Sequence, residues 1–184
     1  MLKSNPNFYH TLHEQVALGY NDKEQEESEK ETGIDELRRK LITPHAHGLV
    51  LETCIGTNMN RRFYQDSKIT KIIGLDWVKS SIQKANQKVI NPKKMSVLNC
   101  DIHKTPFSDD SFDTVVDTFG LECCYDVDQA YKEMKRVTKK GGKILLLERG
   151  NAIWLGDKFE LMRRATLNLG ARGQVYHFNF DNMI

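Results

Sequence analysis

Short apolar runs alternate with helix-period stripes from residue 49 to residue 147, and no other feature of the chain limits its architecture as much. Leu49, Val50 and Leu51 form a run that ends at Glu52, before a turn containing Gly56. Residues 69–75 (ITKIIGL) predict a strand ending at Asp76, and Val78, Ile82, Ala85 and Val89 then share one helical face. Val97 and Leu98 belong to a strand that ends at Asp101, and residues 112–118 (FDTVVDT) read as a β-branched strand. Val127, Ala130, Tyr131, Met134 and Val137 give a further helical stripe, and Gly141-Gly142 breaks the chain before a buried strand at residues 144–147. Strands that alternate with helices at this spacing join in parallel through right-handed crossovers, with helices on both faces of the sheet. The expected fold class is α/β, a three-layer sandwich around a mostly parallel sheet.

The flanks read differently. Residues 1–32 are expected to form a polar, capping extension, and residues 33–184 the domain proper. Residues 21–31 (NDKEQEESEKE) are nearly all polar, as in a solvated helix face or a mobile linker. Before them, Phe8, Tyr9, Leu12, Val16 and Leu18 predict a short amphipathic helix that caps another part of the molecule. Ile34, Leu37 and Leu41 recur at helical spacing until Pro44 stops that helix. Further on, Phe159, Met162, Leu167 and Leu169 suit a helix closed by Gly170. Tyr176, Phe178 and Phe180 alternate with polar neighbours, as in a short strand. Asp181-Asn182 is placed to cap a new helix, yet the sequence ends at residue 184, so the C-terminus is expected to be incomplete.

Composition excludes more than it selects. At 184 residues, with 39% hydrophobic and 28% charged residues, the chain suits one soluble domain that buries a core without disulfides. A net charge of +2 argues against nucleic acid or an anionic membrane as the main partner. There is no apolar run of the roughly 18 residues needed for a membrane span. Residues 1–6 carry neither the apolar core of a secretory signal nor the basic face of a transit peptide. Cys54, Cys100, Cys123 and Cys124 lack metal-type spacing, and adjacent cysteines pair poorly, which points to a reducing intracellular compartment.

In open parallel sheets ligands bind beyond the carboxyl ends of the strands, and Glu52, Asp76 and Asp101 each stand at such an end. The turn at residues 51–58 (LETCIGTN) needs small residues so that backbone amides can approach a ligand. Gly56 meets that need, Cys54 is small, and Asn58 enters left-handed backbone conformations cheaply. Asp76, about 20 residues beyond the turn, is placed to accept hydrogen bonds from ribose hydroxyls. Trp77 offers a flat apolar surface to an adenine ring, and Asp101 an acceptor for its exocyclic amine. Each acid alone reads most simply as a solvated turn or a helix cap. At successive strand ends, the three describe a site shaped for a nucleoside.

These motifs, in this order, resemble the class I methyltransferases of the Methyltransferase type 11 group, whose fold is Rossmann-like. Residues 50–58 are similar to that group's first motif, with Cys54 and Asn58 in place of its first and third glycines. Residues 106–117 (PFSDDSFDTVVD) resemble its approach to the fourth strand, and residues 133–144 (EMKRVTKKGGKI) its next helix, turn and fifth strand. Residues 33–39, the turn at Cys54, residues 117–121 (DTFGL) and residues 146–150 (LLERG) resemble most a mitochondrial methyltransferase-like branch. The resemblance implies S-adenosylmethionine as cofactor, with Glu52, Cys54, Gly56 and Asn58 around its methionine part. It implies Asp76 on the ribose, Asp101 and Ile102 at the adenine, and Thr118 and Phe119 beside the sulfonium. It further implies a mitochondrial location, an unidentified small-molecule or protein methyl acceptor, and a last pair of strands that residues 33–184 do not reach.

Two activities stand beside each other at this point. One is an active methyltransferase. The other is a non-catalytic, methyltransferase-like subunit of a larger complex, in which a protein partner covers the exposed edge of an incomplete sheet. A nicotinamide dehydrogenase fits poorly, because the turn lacks the glycine spacing that seats a pyrophosphate on a helix N-terminus. RNA methylation has no basic, aromatic-laced surface to support it. No side chain identifies itself as a catalytic base, and His10, His13, His45 and His47 read as surface or capping residues. Glu122 and Tyr125, in the loop after the fourth strand, are placed to face a substrate. The cysteines read as small buried hydrophobes rather than a metal site, Lys139-Lys140 as a solvated helix end, and Met134 and Met162 as core.

Overall fold

The apolar runs at residues 49–51, 112–118 and 144–147 become strands because each buries two faces at once. The computed structural model describes residues 5–148 and, as backbone, residues 174–179. Strands β1 (Gly48–Thr53), β2 (Ile69–Asp76), β3 (Met95–Asn99), β4 (Phe112–Thr118), β5 (Thr138–Glu148) and β6 (Gln174–Asn179) form one sheet in the order β3-β2-β1-β4-β5-β6. The first five are parallel and β6 runs antiparallel to β5. Helices α3 (Ile34–His45) and α4 (Lys79–Gln87) cover one face, and α5 (Val127–Val137) covers the other. Alternate residues of a strand serve opposite layers. Val50, Val116, Leu145 and Leu147 pack with Leu41, Ile42 and Ile82, whereas Leu51, Val115, Ile144 and Leu146 pack with Ala130, Met134 and Val137. Each fully buried aliphatic side chain contributes about 1.5–3 kcal/mol, so a strand buried on both faces holds both layers. The strand order reverses between β1 and β4, which opens a crevice above their carboxyl ends.

The sheet is expected to lack its last pair of strands, and β6 supplies one strand beyond β5. Pairs from Lys143↔Asn179 to Glu148↔Gln174 make β5 an interior strand, so it presents no open edge along that length. Tyr176 and Phe178 fall within β6, as their alternation predicts. The helix expected around Phe159–Gly170 and the cap at Asp181-Asn182 lie outside the described residues.

Four smaller expectations also change. Gly141-Gly142 does not break the chain before β5; the strand runs through it. The ladder steps from Phe112↔Thr138 to Thr114↔Lys143, and Gly141, at φ 75°, takes the turn of this bulge. Lys139 and Lys140 are therefore strand residues rather than a helix end, and Lys139 Nζ pairs with Asp113 Oδ1 at 2.7 Å. Helix α3 continues past Pro44 to His45, and Val89 lies beyond the end of α4.

Helices α1 (Pro6–Gly19) and α2 (Asp22–Thr32) precede the sheet. The predicted amphipathic helix forms, but its apolar stripe faces outward: Phe8 is 63%, Val16 57% and Leu18 64% exposed. Polar docking outweighs the stripe. The Glu14 carboxylate sits on the free amides that begin α4, 2.7 Å from Lys79 N and from Ser80 Oγ. Lys84 Nζ in turn donates to the last carbonyl groups of α1, at Ala17 and Tyr20, both at 2.8 Å. The acidic run is likewise not a linker. Asn21 caps α2, Gly33 ends it at φ 79°, and Glu29 within it is buried.

Candidate functional site

A cavity of about 310 Å³ lies above the carboxyl ends of β1, β2 and β4, walled on one side by His13 and Ala17 of α1. Its size is that of a small-ligand pocket. Of the residues singled out from the sequence, Cys54, Gly56, Asp76, Trp77, Ile102, Thr118, Phe119 and Glu122 line it. Glu52, Asn58, Asp101 and Tyr125 do not.

The turn after β1 alternates through left-handed backbone, with φ 48° at Cys54, 55° at Gly56 and 66° at Asn58. Alternating glycines suit this path, and Cys54 and Asn58 each accept some strain to follow it. The Asn58 side chain turns away from the cavity, its Nδ2 3.5 Å from Met95 Sδ. Gly56 N donates to Asp76 Oδ2 at 2.9 Å, and Val78 N to Asp76 Oδ1 at 2.9 Å. These bonds fix the carboxylate while leaving each oxygen further acceptor capacity. Burial nonetheless pushes Asp76 up to about 6, against the two amide bonds.

Asp101 has a different part from the one expected. Its Oδ1 is 2.5 Å from His103 Nδ1 and 2.9 Å from His103 N, and its Oδ2 accepts from Tyr125 OH at 3.0 Å. Tyr125 stacks on His103 with ring centroids 3.7 Å apart, and Trp77 lies 5.5 Å from Tyr125 and 5.3 Å from His10, edge-on to the latter. Asp101 and Tyr125 thus brace the aromatic rim that holds Trp77, and Cys100 and Ile102, on either side of Asp101, reach the cavity. Burial opposes charge on His103, but the bonds to Asp101 and Cys124 together raise it to about 9.

The largest polar feature is one that the sequence does not reveal. Arg38, on α3, lines the cavity and bonds both Glu29 oxygens, while its Nη1 donates to Asn60 Oδ1 at 2.8 Å and to Thr118 Oγ1 at 2.6 Å. Asn60, in a short 3-10 helix (Met59–Phe63), donates to Glu52 Oε1 at 2.9 Å, and Tyr64 OH donates to Glu52 Oε2 at 2.7 Å. Glu52 therefore stands behind Asn60 rather than in the wall. Burial pushes it up to about 7, against those two bonds. The Arg38 guanidinium also lies 5.0 Å from the Phe119 ring centre. Spacing alone does not expose this group, because its members come from three helices and a strand end. His13, expected at the surface, joins the wall for the same reason. Among the described residues, no group of three or more His, Cys, Asp or Glu is arranged to hold a metal ion.

A demethylmenaquinone methyltransferase of Bacillus cereus (strain B4264) is 35% identical over 88 residues, which are 47% of this chain and 37% of that protein. The chain thus spans little more than a third of the length of the curated relatives it matches. A SAM-dependent methyltransferase from Aquifex aeolicus superposes with TM-score 0.62 at 14% identity, covering 78% of this chain and 87% of that one. The [4+2]-cyclase SpnF superposes with TM-score 0.56 at 18% identity, covering 64% and 44%. At such identities the likeness is one of fold, which hosts more than one chemistry. The profile of the family described as a methyltransferase domain matches residues 51–146, more than half of the 184. That match runs from β1 to β5, through every strand that frames the cavity, and the chain belongs to the methyltransferase domain family.

Proposed function

We propose that the cavity binds S-adenosylmethionine and that the chain transfers its methyl group to an acceptor, a small molecule or a protein side chain. One observation carries this reading: Asp76, at the end of β2, is tied to the Gly56 amide of the first turn, and both line the cavity. A carboxylate so placed suits the two hydroxyls of a ribose. The rest of the wall fits the remaining parts. Trp77 and Ile102 give an apolar wall for adenine, and Gly56 open backbone, where an added Cβ meets only Cys54 O at 4.0 Å.

When bound, S-adenosylmethionine supplies a methyl group on a positively charged sulfur. The chain's own residues bind and orient. Thr118 and Phe119, at the end of β4 and just after it, line the cavity, which supports their place beside the sulfonium, and Arg38 packs over Phe119 to hold that end of the wall. Glu122, Cys123 and His13 wall the side left for the acceptor. Positioning alone supplies much of the rate of an in-line transfer. A base is required only when the acceptor holds its proton tightly. The mitochondrial placement rests on the resemblance of residues 33–39, the turn at Cys54, residues 117–121 and residues 146–150, and belongs to the same proposal.

Equilibrium binding of methyl-labelled S-adenosylmethionine to the intact chain tests this directly. Retained label should be displaced by S-adenosylhomocysteine and not by NAD. Label that is never retained, or that NAD displaces equally well, overturns the reading.

A further inference from the structure

Helix α1 turns one face to the cavity and another, apolar one to solvent. His13, Val16 and Ala17, with Tyr20 just beyond the helix end, line the cavity. Phe8, Leu12 and Val16 are exposed and stand four residues apart. An α-helix turns about 100° per residue, so each step of four carries this line about 40° around the axis. The line therefore winds from the solvent face at Phe8 to the mouth of the cavity at Val16, over a rise of about 12 Å. Tyr9 flanks it on the His13 side, edge-on to Phe8 with ring centroids 6.1 Å apart. The exposed face is held outward from behind. Glu14 caps α4, Lys84 holds the last carbonyl groups of α1, and His10 Nε2 lies 3.3 Å from Trp77 O. Leu18, also exposed, stands off the line.

We infer that the methyl acceptor carries an uncharged, flexible apolar chain, which lies along Phe8, Leu12 and Val16 while its reacting end enters the cavity. The inference rests on the cavity being the methyl-transfer site. An alkyl chain of about ten carbons spans the line. A cavity of about 310 Å³ is at the small end of ligand pockets, so the length of such an acceptor has to lie outside it.

Charge and area favour this occupant over a membrane or a protein. The exposed residues of α1 carry no charge, and Asn7, Thr11 and Gln15 are the polar ones among them. The helix contains no Lys or Arg, which an interfacial helix uses to hold lipid headgroups. Three partly exposed side chains offer about 300 Å², well under the about 800 Å² per partner of a stable protein interface. A single chain laid in one line needs no more than this.

The test uses the intact chain and labelled 1-alkanols, from hexanol to tetradecanol, in equilibrium dialysis with no methyl donor present. Affinity should rise about two- to fourfold per added methylene and level off near decanol, where the line ends. Phe8 and Leu12 are exposed and lie outside the cavity wall, so Phe8→Ser/Leu12→Ser keeps the fold. In that double variant the rise should stop before decanol, while affinity for S-adenosylhomocysteine stays that of the parent. No retained alkanol, an affinity independent of chain length, or a length dependence that the double variant leaves unchanged overturns the inference. A dimer in sedimentation that the double variant dissociates, or retention on phosphatidylcholine vesicles that it abolishes, assigns the line to another occupant and overturns it equally. Because the dialysis contains no methyl donor, its outcome is separate from whether the cavity binds S-adenosylmethionine.

Discussion

Arg38 and Glu29 meet in a two-pronged ion pair sealed from water, with Arg38 Nε 2.9 Å from Glu29 Oε2 and Nη2 2.9 Å from Oε1. The pair joins α2 to α3, and the remaining guanidinium nitrogen reaches Asn60 and Thr118 at the cavity wall. Glu29 is 1% exposed and Arg38 5%, so neither charge has water as an alternative partner. Removing one charge leaves the other buried and unpaired, at a cost of about 3–5 kcal/mol. Glu29→Gln should lower urea stability by an amount in that range, whereas replacing both residues with apolar ones should recover most of it. A loss below about 1 kcal/mol for Glu29→Gln, the value of a surface pair, would contradict the sealed geometry.

Glu52 gives a pH signature of its own. Its folded value is raised from 4.5 to about 7, so the folded state favours the neutral carboxyl. The stability this provides is complete below pH 4.5 and is lost as the pH rises through 7. A tenfold change in an ionisation constant is worth about 1.4 kcal/mol, so the loss comes to about 3 kcal/mol. Urea titrations across that window should show Glu52→Gln with a flatter profile than the parent. Parallel profiles for the two proteins would show that Glu52 ionises freely in the folded state.

Gly120 separates steric from conformational effects. Its backbone, at φ −90° and ψ −40°, is one that alanine adopts without strain. The clash of an added Cβ with Cys54 and Asp117 is then the whole effect. Gly120→Ala should destabilise by about 1–3 kcal/mol. Gly19→Ala, where nothing lies within 4 Å, should be neutral or stabilising in the same thermal melts. Equal melting temperatures for the two variants would rule out the close approach of the two strand-end loops.

The strands are legible in the sequence because Val50-Leu51, Val115-Val116 and residues 144–147 carry residues for both layers, which leaves few alternatives to a two-sided sheet. Asp76 and Gly56 are legible because a strand end and a turn about 20 residues apart have a fixed spatial relation in this fold. Arg38 and Glu29 are not. Glu29 sits in a run whose composition matches a solvated face, and only the packing of α2 on α3 buries it. The outward stripe of α1 runs against its pattern because Glu14, a single polar residue, decides the docking by capping α4. Asp101 lies two residues beyond the end of β3 rather than at it, and His103 two residues on takes its carboxylate locally.

The central claim is that Asp76 holds the ribose of a bound S-adenosyl nucleoside. Calorimetric titration of S-adenosylhomocysteine into the intact chain and into Asp76→Ala, at neutral pH, measures it. Removing hydrogen bonds to a charged acceptor costs about 1.5–3 kcal/mol, so the variant should bind roughly 10- to 100-fold more weakly. Affinity of the parent should also fall as the pH drops through about 6, where Asp76 takes up its proton. Equal affinity in a folded Asp76→Ala protein would contradict the claim and place the ligand elsewhere.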